Sequence, residues 1–253
     1  MTNKSFVELL GRALIVLVLL TTCGFSFFSH AKTLTLTIAS REPISSQDGT
    51  GFLDQVVAEM FGRLGIDAEV VFYQSSARGI KNANDGMDDG VGLRIAGLEK
   101  KFDNLIRIPV PIIVNEFVAF STKFSAPTEN WHSLDDQEVT YILGWQIFEK
   151  NLTHHKHITR VKSNDQLFKM LKLGRTEFAL HERWQGTWHS KRLGLEVNIH
   201  QPPLAKRKMY AYLHKRHAAL VDKAASSLME MKADGTYQKI VDTTLNNLLS
   251  RTR

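Results

Sequence analysis

Apolar and polar positions alternate with a period of two through 33–39, the signature of a half-buried strand. From Phe52 the period lengthens. Phe52, Leu53, Val56, Val57, Met60, Phe61 and Leu64 recur at three- and four-residue spacing, which predicts a helix over 52–64 that ends at Gly65. The run 68–73 reads as a second strand. Residues 77–84 read as a helix capped by Ser75 or Ser76 and stopped by the Asp85-Gly86 turn, and 91–95 as a third strand. This β-α-β-α-β series predicts a mostly parallel sheet with helices on its faces. Ligands of such sheets sit beyond the carboxyl ends of the strands, so the loop 40–50, the segment 75–78 and Arg94 are expected to converge there.

Residues 105–122 are rich in apolar and β-branched types and are broken by Pro109 and Pro111, which suits extended, edge-like strands. After a polar connection at 125–137 the βα logic starts again. A strand at 139–143 is followed by the Gly144-Trp145-Gln146 turn, a helix at 147–152 and a short strand at 159–161. A helix at 165–173 closed by Gly174, a strand at 177–180 and a helix at 184–193 complete the unit. A strand-like run at 209–213 and helices at 217–232 and 236–249 finish the chain. A βα pattern repeated after a linker predicts two lobes.

The N-terminus changes the picture of where the protein works. Lys4 and Arg12 precede the apolar run 13–20, and small residues lead to Ser29-His30-Ala31, the pattern of a secretory signal peptide cleaved after Ala31. The apolar run is shorter than the roughly 20 residues of a comfortable membrane helix. An uncleaved anchor needs 21–28 counted in, and lipid attachment at Cys23 would follow Thr22, a poor fit to such processing. Cys23 is the only cysteine, so a mature chain from Lys32 has no disulfide and must be held by its core. The expected compartment is the periplasm.

The net charge of +6 is spread among scattered or paired basic residues, with no Lys/Arg stripe interleaved with aromatics, which argues against a nucleic-acid partner. His154-His155-Lys156-His157 reads as a solvated turn, because adjacent histidines diverge and no acid or cysteine lies at ligand spacing. No nucleotide-binding glycine loop, nucleophile elbow or zinc-protease helix motif is present, and no cofactor, metal or catalytic residue is expected.

Four places carry candidate binding chemistry. Arg94 sits within a short apolar strand; a guanidinium is rarely buried unpaired and is well shaped to hold a carboxylate by two parallel hydrogen bonds. It is either a structural ion pair or the floor of a ligand site. Arg78, beside Ser75 and Ser76, is either a surface arginine or a cleft residue. The turn carrying Trp145 and Gln146 leads into a helix N-terminus, a natural anion site, and Trp145 either stacks on a ligand or fills the core. Glu182 is either a partner for a cation or the salt-bridged start of a helix.

The segment Met231-Lys232-Ala233-Asp234-Gly235-Thr236-Tyr237-Gln238-Lys239-Ile240 closely resembles the closing "KADGTYxKI" of the exported amino-acid-type solute-binding proteins, family 3. Leu173-Gly174-Arg175-Thr176-Glu177-Phe178-Ala179-Leu180 resembles that family's "xGRxDAxx" strand. Gly51-Phe52 with its helix, and Gly97-Leu98-Glu99-Lys100-Lys101 where the family has "T-x-E-R", complete four pieces in order over about 33–249. The resemblance implies the two-lobed type II periplasmic-binding-protein fold, an α/β architecture with a mostly parallel sheet flanked by helices in each lobe and a ligand cleft between them. Lobe 1 would be 32–118 plus 212–253, the hinge strands 119–122 and 203–211, and lobe 2 123–202.

What the resemblance implies for function is capture of a small anionic or zwitterionic, amino-acid-like solute by lobe closure. The closed form would be read by an inner-membrane ABC permease or a sensor, and the chain would be a monomer. Carried over, the family's carboxylate-holding Arg falls on Lys101, a departure, since lysine lacks the guanidinium fork. The ammonium-holding acid falls on Glu182, and Arg94 is placed to replace the missing guanidinium. The spacing of Arg78, Asn82-Ala83-Asn84, Gly86, Asp89-Gly90, Arg94 and 104–109 resembles a divergent branch often lacking an obvious transport partner. The expected ligand-binding residues are therefore Arg94, Arg78, Lys101, Trp145, Gln146 and Glu182. Two rival readings are a cyclohexadienyl-dehydratase-like enzyme on the same fold, with Glu182 or His181 as its acid or base, and a sensory module that docks on another protein.

Overall fold

A computed structural model describes residues 33–123 and 128–250; the expected signal peptide, 1–31, with Cys23, lies outside the described residues. Strand β1 (Leu34–Ile38) lies parallel between β2 (Ala68–Phe72) and β3 (Gly90–Arg94), and the connections between these strands carry α1 (Phe52–Gly62) and α2 (Ser76–Asn84). α1 buries Phe52, Leu53, Val56, Val57, Met60 and Phe61, the stripe that the sequence spacing predicts. Its start is fixed by Asp54, whose carboxylate accepts from the Gly51 N–H at 3.0 Å, the Ser46 N–H at 2.8 Å and the Ser45 hydroxyl at 2.7 Å. Beyond its end Gly65 takes φ +71°, a left-handed conformation open to glycine without a Cβ penalty. Of the two expected caps of α2, Ser75 does the capping, accepting the Arg78 N–H.

The second half repeats the plan. β6 (Val139–Ile142) lies parallel between β7 (Ile158–Val161) and β8 (Phe178–Glu182), with α3 (Gln146–Asn151), α4 (Asn164–Lys172) and α5 (Arg183–Arg192) following the strands. Antiparallel strands join the halves. β5 (Ile113–Ser121) pairs with β8, and β10 (Ala205–His214) pairs with β5 through 205–209 and with β3 and β4 (Leu105–Arg107) through 210–214. The strand order is β2-β1-β3-β10-β5-β8-β6-β7, with β4 beside β10 and the short β9 (Asn198–Ile199) beside β5.

Each half has its own core. One gathers Leu36, Phe52, Met60 and Phe61 with Leu228 of α6 (Ala218–Ala233). In the other half, Tyr141, Phe148 and Leu180 form one cluster and Phe120, Leu167 and Phe168 another. Trp184, in the first turn of α5, packs against the first core. The helix expected at 236–249 is broken into α7 (Thr236–Val241), a π-turn (Asp242–Asn246) and α8 (Asn247–Ser250). The hydroxyls of Thr243 and Thr244 both donate to the Ile240 carbonyl, which competes with the helical ladder at that turn.

β3 and β10 approach so closely that a Cβ on Gly90 would lie 2.1 Å from the Tyr212 carbonyl oxygen. That oxygen belongs to backbone and cannot swing away. Gly90→Ala is therefore expected to destabilise the fold by about 1–3 kcal/mol or more, read as a lower urea midpoint; an unchanged midpoint would contradict this packing.

Candidate functional site

The register of the first sheet sets where Arg94 sits. Thr37 of β1 pairs with Val91, so β3 runs past the end of β1 and its last residue clears the sheet's carboxyl edge. Arg94 is half-buried there. Its Nη1 donates to the Leu93 carbonyl at 2.7 Å, its Nη2 donates to the Ser76 hydroxyl at 2.5 Å, and its Nε is shielded from solvent without a partner. Among the described residues no carboxylate pairs with it. Burial pushes its pKa down, and no neighbouring acid acts in the opposite direction. The structural ion pair, one of the two readings of this residue, is not formed.

Ser76 ties the guanidinium to the first turn of α2, and Arg78 lies exposed in that same turn. Arg41, which the sequence analysis did not single out, is exposed in the loop after β1, with its guanidinium carbon 3.5 Å from the centre of the Phe72 ring. Lys101 is exposed just beyond the turn Leu98–Lys100, and no hydrogen bond or ion pair joins its side chain to Arg94.

On the second sheet's carboxyl edge, Gln146 is exposed at the start of α3. Trp145 is packed among rings: it stacks on Phe148 (5.8 Å, 7°), stands edge-on to Phe117 at 6.1 Å and lies 4.5 Å from His181. It is half-buried, packed against the aromatic cluster of the second half with part of its surface exposed. Glu182 ends β8 and caps α5. Its carboxylate accepts from the Trp184 N–H at 3.2 Å and the Gln185 N–H at 3.0 Å, and its residue is 1% exposed. Burial pushes its pKa up to about 7 despite those two bonds. The salt bridge at this helix start runs instead from Arg183, whose Nε donates to Glu116 at 2.7 Å.

His181, facing α4, is fully buried. Its Nδ1 donates to the Glu182 carbonyl at 3.0 Å and its Nε2 lies 2.8 Å from the Asn164 side-chain amide, while burial holds its pKa at about 3. His189 of α5 is held neutral the same way, at about 4, with its buried Nδ1 4.0 Å from Asp165. Five of the six expected residues thus fall on two strand-end edges, Arg94 and Arg78 joined through Ser76 and α2, Trp145 and Gln146 adjacent at α3, and Glu182 beneath α5, while Lys101 lies beyond the turn that follows β3. A cavity of about 1000 Å³ lies elsewhere, between the end of α5, the stretch 194–199 and α8, and none of the six lines it.

The buried groups give opposite pH slopes. A histidine held neutral by the fold binds its proton more readily when unfolded, so the contribution of His181 and His189 is complete above 6.5 and is lost as pH falls toward 4 and 3. Glu182 binds its proton more readily when folded, so its contribution is complete below 4.5 and is lost as pH rises to about 7. Between 4.5 and 6.5 two histidines oppose one acid, and the melting temperature is expected to fall on acidification through that window. His189→Gln should flatten the fall and Glu182→Gln should steepen it; identical melting-temperature profiles for wild type and both variants would contradict the assignment.

No family model matches the chain. An uncharacterized protein of Shewanella oneidensis is 27% identical over 176 residues, 64% of this chain and 64% of its own length, so the chain spans just under two thirds of that relative. Among solved structures, an ancestral cationic amino-acid solute-binding protein is 22% identical with a TM-score of 0.69, over 84% of this chain and 95% of its own. A histidine kinase sensor domain with similarity to periplasmic binding proteins is 15% identical with a TM-score of 0.67, over 85% and 96%. The GluR0 ligand-binding core of Nostoc punctiforme, in complex with L-glutamate, is 16% identical with a TM-score of 0.66, over 83% and 98%. Two parallel three-stranded units, joined through antiparallel β5 and β10 and flanked by helices, give this chain the two-lobed type II fold of the periplasmic binding proteins.

Proposed function

We propose that this protein is an exported, periplasmic solute-binding protein that closes its lobes around a small anionic or zwitterionic solute. The observation that carries this reading is Arg94: a half-buried guanidinium at a strand's carboxyl end, with Nε unpartnered and, among the described residues, no carboxylate paired with it. A cation drawn out of water without a counter-ion is costly to keep. A ligand carboxylate supplies the missing charge and takes the parallel hydrogen bonds that a guanidinium offers. Arg78 on the same edge adds positive charge, Gln146 supplies an amide from the other lobe, and Trp145 and Glu182 shape that lobe's wall from beneath. Lys101 lies at the margin of the site.

The lobes are taken as 32–118 plus 212–253 and 123–202, with hinge strands at 119–122 and 203–211. The separate cores and the change of partner along β10 between 209 and 210 support these bounds. A solute that touches both lobes only when they are together shifts the population toward the closed form, which a permease or a sensor then reads from a monomer. The likeness to a histidine kinase sensor domain favours sensing as the second reading of the output. Turnover is the weaker alternative, although one structurally similar ancestral amino-acid-binding protein is a precursor of cyclohexadienyl dehydratase. The acid and base named for that reading, Glu182 and His181, are buried and already hydrogen-bonded to their own chain.

A thermal-shift screen of amino acids and small carboxylates tests the proposal. A ligand of the native state present at 100 times its Kd adds about 2.7 kcal/mol of stability. The expected outcome is a shift in wild type, a reduced one in Arg94→Lys and none in Arg94→Ala; an undiminished shift in Arg94→Ala would remove Arg94 from the site.

A further inference from the structure

Most of the acids near the strand ends are engaged, while three arginines there pair with none of them. In the second lobe the Glu182 carboxylate caps α5, and Glu149 accepts the Gly144 N–H at 2.9 Å. Glu116 is held between Arg183 at 2.7 Å and Lys206 at 2.8 Å, and Asp165 is paired with Arg192. In the first lobe Asp54 binds the start of α1, Asp48 accepts from Ser46 and Thr50, and Glu99 accepts the Gly97 N–H at 3.0 Å and lies 3.8 Å from Arg107. Arg41, Arg78 and Arg94, from the loop after β1, the first turn of α2 and the end of β3, take part in no ion pair among the described residues. Among the described residues Glu42 of the loop after β1 takes part in no hydrogen bond or ion pair, and one carboxylate set against three guanidinium groups leaves two in excess.

A carboxylate is the strongest protein partner for the ammonium of an α-amino acid, and Glu182, the acid that the family resemblance puts in that role, is buried and spent on the α5 cap. We infer that the solute of this cleft is a polyanion without an ammonium group, a di- or tricarboxylate, held by Arg94 through one carboxylate and by Arg78 and Arg41 through another. This rests on the solute-binding reading above and narrows its ligand class. Electrostatics points the same way. Guanidinium groups on neighbouring strand-end segments add positive potential at that edge, which a second carboxylate on the ligand relieves and an ammonium aggravates. Bidentate carboxylate recognition also favours arginine over the lysine at Lys101.

Matched pairs that differ only in the amine decide the matter: glutarate against L-glutamate, and succinate against L-aspartate, with tricarballylate as the tricarboxylate, each titrated calorimetrically into the purified protein. The dicarboxylate of each pair is expected to bind at least about tenfold more tightly than its amino acid. Arg94→Ala and Arg78→Ala should each weaken it, and Glu42→Gln should leave it unchanged or tighter. Amino acids binding as well as or better than their amine-free partners, with a loss in Glu42→Gln, would overturn the inference while leaving the solute-binding reading intact. If no carboxylate of either kind binds, the solute-binding reading itself fails, and this inference with it.

Discussion

β10 gives its first five residues to one sheet and its last five to another, and the position of every candidate residue follows from that division. Its second half pairs with β3 so that Tyr210 stands opposite Arg94 and Leu213 opposite Gly90, with a bulge between Tyr210 and Tyr212. The strand's exit is anchored as well. Burial alone would raise the pKa of Asp89, but the Thr35 N–H, His217 and Arg216 outweigh it and hold the carboxylate at about 2. A buried anion with that many donors fixes its surroundings tightly. The opposite end of β3, two turns of side-chain alternation away, carries a cation with no such partner. One strand is thus locked at its start by a satisfied charge and ends in an unsatisfied one.

The two lobes treat their buried charges differently. Glu182 is buried but bonded to two backbone N–H groups at the start of α5, where the helix dipole favours negative charge. Burial still lifts its pKa to about 7, so near neutrality the cap changes strength with pH. The same first turn of that helix carries Trp184, which packs on the core of the other lobe. The protonation of one side chain in the second lobe is therefore mechanically adjacent to the contact between lobes. Arg94 has no comparable support: two of its bonds go to a neighbouring carbonyl and a hydroxyl, and neither neutralises it.

The alternation through 33–39, the helical spacing through 52–64 and the repeated βα units were legible because each depends on local periodicity, which a folded sheet or helix must honour. Ser75 as a cap and Gly65 as a helix stop were legible for the same reason. The π-turn at Asp242–Asn246 was not, because a continuous helix and one interrupted by threonine hydroxyls share the same apolar spacing. The site was half-legible. Arg94 stood out as a charge inside a strand, and Glu182 as an acid before a helix. That Trp145 belongs to a ring cluster depends, besides Phe148 three residues along the same helix, on Phe117 and His181, two residues from separate strands with no sequence signal that they meet it. Arg41 on Phe72, and Asp89 with residues more than 120 positions later, are likewise products of the fold.

An unpaired guanidinium also bears on how a two-lobed protein could respond to a ligand at all. A solute shifts the lobes only by the difference between its affinities for the open and closed forms. Apolar contacts on one lobe bind both forms alike and shift nothing. On the proposed solute-binding reading a charge at the edge behaves otherwise, since closure would remove water, lower the local dielectric and strengthen the attraction between Arg94 and an anion on the solute. The same closure would worsen the position of Arg94 with no anion in the cleft. On that reading a cation left without an acid would penalise closing empty and favour closing on a negative solute, and an ion pair built into the protein at that position would cancel both effects.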